Sequence, residues 1–133
     1  MIVIDASALA KYILKEPNWL AVEKYLIDAK SVDHIVKEVS NAIWKAYVRE
    51  IISMEDAMKK LNALLELIGT NIILINELEV LKDAVEISFE EKITIYDALY
   101  IALAETENTE LVTCDIKQAD IFKKRGGTVY YLE

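Results

Sequence analysis

Short apolar runs alternate with stretches of helical periodicity along the chain. Five runs read as buried strands: Ile2 to Ile4, Ser31 to Asp33, Ile72 to Ile75, Glu110 to Cys114 and Thr128 to Leu132. Between them the spacing predicts helices over Ala6 to Leu14, Pro17 to about Ala29, Ile35 to Ile52, Glu55 to Ile68, Glu77 to Glu90, Ile95 to Thr106 and Ile116 to Arg125. Pro17 suits the first turn of its helix, where the missing N–H costs nothing. Val39, Ala42, Ile43, Ala46, Tyr47 and Ile51 give one helix an apolar face, and Met58, Leu61, Leu64, Leu65 and Ile68 do the same for the next. Gly69 is expected at the C-terminal stop of that helix. Strands separated by helices call for a parallel sheet covered on both faces. The expected fold class is therefore α/β, with a five-stranded parallel sheet flanked by helices in a single three-layer domain over residues 1–133. No repeat, linker or low-complexity segment divides it.

Composition narrows this picture. An apolar fraction of 54% fits a globular chain. No apolar run approaches the roughly 20 residues that span a bilayer. The N-terminus enters a strand without a basic segment or cleavage site, so a cytoplasmic protein with no membrane attachment is expected. A lone cysteine, Cys114, and a lone histidine, His34, exclude an internal disulfide and a Cys- or His-rich zinc site. Cys114 reads as a small packing residue and His34 as a cap or surface group. Trp19 and Trp44 read as core or interface anchors. The net charge of −8 argues against field-driven binding of nucleic acid. It leaves room for a nuclease, because a bound metal reverses the local sign. Lys11, Lys15, Lys37, Lys45 and Arg49 either touch phosphates or are ordinary solvated surface.

Four acids carry the candidate chemistry. Asp5 and Asp115 each follow a strand run, where open α/β sheets place their ligands. Asp97 interrupts the apolar helix that runs on through Ala98-Leu99-Tyr100-Ile101-Ala102-Leu103-Ala104, and should point toward packed protein. Glu38 falls in the first turn of another helix. Each acid has a structural explanation. Asp5 and Asp115 suit helix N-caps, Thr94 to Asp97 resembles a capping box with Asp for Glu, and Glu38 favours the helix dipole. Together they suggest more, because adjacent carboxylates repel unless a hard cation joins them. No Lys or Arg between Thr94 and Ala104 could pair with Asp97. Strands one and four side by side would make Asp5 and Asp115 neighbours. Ser7, Thr113 and Asn41 fall on the same side as these acids and either orient them or make local turn and cap bonds.

The segments Ile2-Val3-Ile4-Asp5-Ala6-Ser7-Ala8-Leu9, Val36-Lys37-Glu38-Val39-Ser40-Asn41-Ala42, Tyr96-Asp97-Ala98-Leu99-Tyr100-Ile101-Ala102-Leu103-Ala104 and Leu111-Val112-Thr113-Cys114-Asp115 resemble the PIN-domain family, most of all its VapC-type toxins. The resemblance runs over essentially the whole chain. It implies a metal-dependent ribonuclease with the acidic cluster on Asp5, Glu38, Asp97 and Asp115, and it makes Ser7, Thr113 and Asn41 pocket residues. His34-Ile35 departs from the small residues or proline that relatives often carry before the glutamate helix. Asp120 is either an extra acid or, the favoured reading, surface. The implied reaction is RNA phosphodiester hydrolysis by water activated on one or two Mg²⁺ or Mn²⁺ ions. Asp5, Asp97 and Asp115 would be direct ligands, and Glu38 a ligand or the holder of a bound water. The resemblance also implies a small antitoxin partner, and the apolar helices suit a homodimer.

Other readings compete. A haloacid-dehalogenase-like phosphatase wants a second Asp two residues after its nucleophile, and here that residue is Ser7. A receiver domain wants a phosphoacceptor after its third strand, which here leads to Asn76. No Gly-rich phosphate loop is present. A standalone RNA-processing nuclease and a catalytically silent scaffold or interaction module complete the alternatives.

Overall fold

The computed structural model covers residues 1–133. The chain runs β1 (Ile2–Ile4), α1 (Ala6–Leu14), a 3-10 helix (Trp19–Leu26), β2 (Ala29–Val32), α2 (His34–Val48), α3 (Met54–Leu67), β3 (Ile72–Ile75), a 3-10 turn (Glu77–Glu79), α4 (Leu81–Glu91), α5 (Ile95–Thr106), β4 (Leu111–Thr113), α6 (Ile116–Lys124) and β5 (Val129–Tyr131). The five strands form one parallel sheet in the order β3-β2-β1-β4-β5. The expected α/β fold class is what the chain adopts.

Handedness sets the layers. From β1 through β2 to β3 the chain steps one way along the sheet. From β3 to β4 and β5 it steps the other way. Right-handed crossovers then put α1, α2 and α3 on one face and α4, α5 and α6 on the other. The packing agrees, because α1 contacts α2 and α3 while α5 contacts α4 and α6. The strand order reverses between β1 and β4, whose register pairs Val3 with Leu111 and Ile4 with Val112. The carboxyl ends of these two strands therefore flank the crevice where such sheets bind ligands.

Burial explains the most apolar helix. Ala98 to Ala104 are seven consecutive buried residues, because α5 lies on β1, β2 and β4 and is covered by α4. A helix apolar all round belongs inside. Val3, Ile4, Leu111 and Val112 belong to the same continuous core, with successive residues of each strand facing opposite sides of the sheet.

Several element ends shift by one or two residues, and β2 runs from Ala29 to Val32 where Ser31 to Asp33 was expected; four further departures are larger or change a turn. The helix predicted over Pro17 to Ala29 is a shorter 3-10 segment. Lys15 and Asn18 both take left-handed backbone (φ 54° and 68°), and Asn18 supplies no side-chain cap. Ala29 instead pairs with Ile2 and Ile72, so sheet pairing overrides the helical pattern. The helix expected to reach Ile52 stops at Val48, where Glu50 turns at φ 61°. The helix expected from Glu77 is broken at Val80 (φ −120°) into a 3-10 turn and α4. Gly69 (φ 84°) does not cap α3. The chain leaves α3 through extended Ile68, and Gly69 N–H donates to Ile72 O at 2.9 Å, which turns the chain into β3.

Gly127 makes a close approach that yields a prediction. A Cβ built there would lie 2.4 Å from the ring of Phe122, a buried residue of α6. Gly127→Ala is expected to destabilise the fold by about 1–3 kcal/mol through overpacking. The midpoint of urea unfolding checks this, and Gly126→Ala, at φ 93° with open space around it, separates packing from backbone strain.

Candidate active site

β1 ends at Ile4, and Asp5 turns the chain into α1. Its Oδ1 accepts the Ala8 N–H at 3.0 Å, so Asp5 is the N-cap the sequence allowed. It is more than a cap. Ser7 Oγ donates to Oδ1 at 2.7 Å, and Thr113 Oγ1 donates to Oδ2. Both hydroxyls are themselves aimed, because Cys114 N–H donates to Ser7 and Asp115 N–H donates to Thr113. The ends of β1 and β4 are thus laced together through one carboxylate.

Asp115 caps α6 by accepting from Lys117 N–H at 2.9 Å and Gln118 N–H at 3.2 Å. Thr94 caps α5 by accepting the Asp97 N–H at 3.2 Å, which leaves the Asp97 carboxylate turned to the cavity. Asp97 is half-buried there, not enclosed in packed protein as its helix suggested. Glu38 lies in the second turn of α2, because that helix starts at His34, and no acid occupies its first turn. The dipole explanation for Glu38 therefore fails. Tyr100 Oη, one turn beyond Asp97, donates to Glu38 Oε1 at 2.8 Å.

All four acids line one cavity of about 920 Å³, with Ser7 and Asn41 on its wall and Thr113 just behind Asp5. Asp120 is exposed and off the cavity. Of the five basic residues considered, Lys37 and Lys45 line it. Lys11 Nζ instead donates to Pro17 O, and Lys15 lies over Trp19. Trp44 is 56% exposed and off the cavity, so it is no core anchor. Sequence reasoning missed Glu77, Tyr96, Tyr100 and Gln118 as lining residues. Glu77 was detectable, since it lies two residues past the end of β3, at the same edge of the sheet as Asp5. Tyr100 was detectable too, at i+3 from Asp97 on the same helix face.

The electrostatics are those of a site with excess negative charge. Asp5 is 2% exposed, and its carboxyl is pushed up to about 6 by burial, against the lowering effect of Thr113, Ser7 and Ala8. Glu38 is raised by burial, with Asp97 adding to the rise. Asp97 is raised by burial and by Asp115. The chain's Lys and Arg ion pairs are all made with other carboxylates. His34 lies 3.4 Å from Glu38, and burial holds its imidazole below the ordinary value. A hard divalent cation fits this donor set: oxygen ligands, excess negative charge and one buried carboxylate without a positive partner. No three carboxylates converge on one ion-sized point. That suits an ion that keeps several waters and takes one or two protein ligands, as Mg²⁺ commonly does.

A PIN domain model matches residues 2–124. The chain belongs to the PIN-domain family. Among PIN domains it is 32% identical to a protein named Ribonuclease VapC3 from Pyrobaculum aerophilum, over 91% of this chain and 94% of that one. Its fold is similar to VapBC2 from Rickettsia felis, solved bound to a promoter DNA fragment (TM-score 0.69, 18% identity, all of both chains). It is likewise similar to VapC20 from Mycobacterium tuberculosis, described as a sarcin-ricin loop cleaving toxin (TM-score 0.69, 14% identity, 96% and 97% covered). No helix of this PIN domain is long and apolar enough to cross a membrane.

The lacing of Asp5 gives a test. Thr113→Val removes the hydroxyl that donates to Asp5 and accepts from Asp115 N–H. A hydrogen bond to a charged group contributes about 1.5–3 kcal/mol. Urea unfolding at pH 7 is expected to show a loss of that size, and Thr113→Ser is expected to retain most of the stability.

Proposed function

We propose that this PIN domain, one nuclease domain over residues 1–133, is a metal-dependent endoribonuclease and the toxin of a toxin–antitoxin pair. The observation that carries the reading is the meeting of Asp5, Glu38, Asp97 and Asp115, from four separate elements, on one cavity without a Lys or Arg ion pair. The relative named Ribonuclease VapC3 supports the nuclease assignment.

Mg²⁺ or Mn²⁺ would be held directly by one or two of Asp5, Asp97 and Asp115 and through bound water by the rest, with Glu38 as a further ligand or the holder of a bound water. When bound, one or two such ions supply the positive charge that acidifies an attacking water and offsets charge on the phosphate. Ser7 and Thr113 fix the Asp5 carboxylate by their two hydrogen bonds and keep it ionisable despite its burial. Tyr100 fixes Glu38 in the same way. Asn41, Lys37 and Lys45 face the space a phosphate backbone would occupy. No side chain is poised as a covalent nucleophile. Ser7 Oγ is committed to Asp5 and to Cys114 N–H, and burial pushes the Cys114 thiol up to about 11.

The partner would be a small antitoxin whose basic segment enters the acidic cavity. The apolar residues exposed along α2 and α3, among them Val48, Met54 and Met58, would then be covered by that partner or by a second copy of the chain.

The deciding experiment is cleavage of RNA by the purified chain with Mn²⁺, with Mg²⁺ and with EDTA. Cleavage restored by metal after EDTA is the expected result. A silent scaffold would show neither cleavage nor a Mn²⁺-linked rise in Tm.

A further inference from the structure

Tyr96 and His34 form a pair at the cavity wall to which hydrolysis assigns no task. Tyr96 directly precedes Asp97 in the first turn of α5, and His34 opens α2 one turn before Glu38. Their ring centroids are 4.9 Å apart and the planes lie 12° from parallel. The His34 side chain is held in place, only 12% exposed. Tyr96 is 60% exposed. With one face covered by the imidazole, an exposure that large leaves the other face open beside the acids.

Neither capping nor packing explains Tyr96. Thr94 caps α5, and Tyr96 lies outside the core. The other aromatic rings do not compete for the role. Tyr100 is buried, Trp19 packs edge-on against Tyr12, and Trp44 is away from the cavity.

We propose that Tyr96, backed by His34, is a stacking platform for the nucleobase adjoining the scissile phosphate, so that the strand is unpaired at that point. This rests on the nuclease reading of the same cavity. An exposed ring beside a backbone-binding groove is how sequence-tolerant sites hold single strands, because every base has a π face. A base within a duplex has both faces covered by its neighbours, so it cannot reach such a ring. Tyr96 and Asp97 line the same cavity, which places a base on the ring near a phosphate held at the acids. The imidazole stiffens the ring before substrate arrives, which lowers the ordering cost of binding.

The test uses the full chain, Mn²⁺ and a short single-stranded RNA of mixed sequence, alongside a series in which one nucleotide at a time is abasic. Tyr96→Ala is expected to raise KM roughly 10-fold, the effect of losing one stacked base, with the loss falling in KM rather than kcat. Tyr96→Phe is expected to restore KM. One abasic position should reproduce the penalty in the wild type and cost nothing further in Tyr96→Ala. An unchanged KM in Tyr96→Ala, or penalties that add independently, would overturn the platform. If the wild type cleaves no RNA, the nuclease reading fails by itself. The platform is then judged on fluorescence anisotropy of the same RNAs: tight binding by Tyr96→Ala overturns it, and weakened binding matched by one abasic position upholds it.

Discussion

Asp5→Asn is expected to abolish RNA cleavage while making the metal-free protein more stable at pH 7. Both effects follow from one carboxylate. Unfolded, Asp5 releases its proton near 3.8; folded, it releases it near 6, chiefly because burial penalises the charge. Between those values folding takes up a proton, so stability falls as pH rises from about 4 to about 6 and is level above that. The displacement corresponds to about 3 kcal/mol. Asparagine carries no charge to bury. Its Oδ1 can still accept from Ala8 N–H and Ser7, so the cap on α1 survives. Urea midpoints in EDTA should therefore slope down with pH in the wild type and less steeply in Asp5→Asn. Glu38 and Asp97 keep a residual slope of the same sign, since burial raises them as well. Equal slopes in the two proteins would remove Asp5 as the strained charge of the site.

This tension between stability and function explains which parts of the fold were legible in the sequence. The elements whose apolar pattern serves the core were readable, because burial alone decides them. Ile2–Ile4, Ile72–Ile75 and the helix from Ile95 to Thr106 stand as expected. Asp5 and Asp115 were readable from their place after strands, and the pairing of β1 with β4 makes them neighbours. What the sequence obscured depends on contacts between distant segments or on single backbone angles. Ala29 has a helical pattern locally, yet two strands claim it. Val80 breaks a helix through one φ angle that no residue type announces. The stack of His34 on Tyr96 joins residues that have no local relation in sequence. His34 read singly as a cap or surface group, and only its neighbour in space gives it a role.

Asp97→Asn is expected to lower kcat/KM on the order of a thousandfold, the several kcal/mol that charge stabilisation by a bound cation supplies. The fold should survive. The Thr94 cap uses the backbone N–H of residue 97, which the substitution keeps, and the side chain is only half-buried. Asp97 also acts on its neighbours, since its charge helps to raise Glu38 and it is itself raised by Asp115. Removing it relieves that repulsion and lets Glu38 ionise more readily, while depriving a cation of one anionic oxygen pair. Mn²⁺ should therefore stabilise the wild type, by about 2.7 kcal/mol when the free ion reaches 100 times its Kd, and stabilise Asp97→Asn far less. Thermal unfolding with and without Mn²⁺ reads this independently of any RNA. An undiminished Mn²⁺ shift together with undiminished cleavage in Asp97→Asn would reject its place among the ligands. A lost shift with cleavage intact would separate the ion seen in thermal unfolding from the ion used in the reaction.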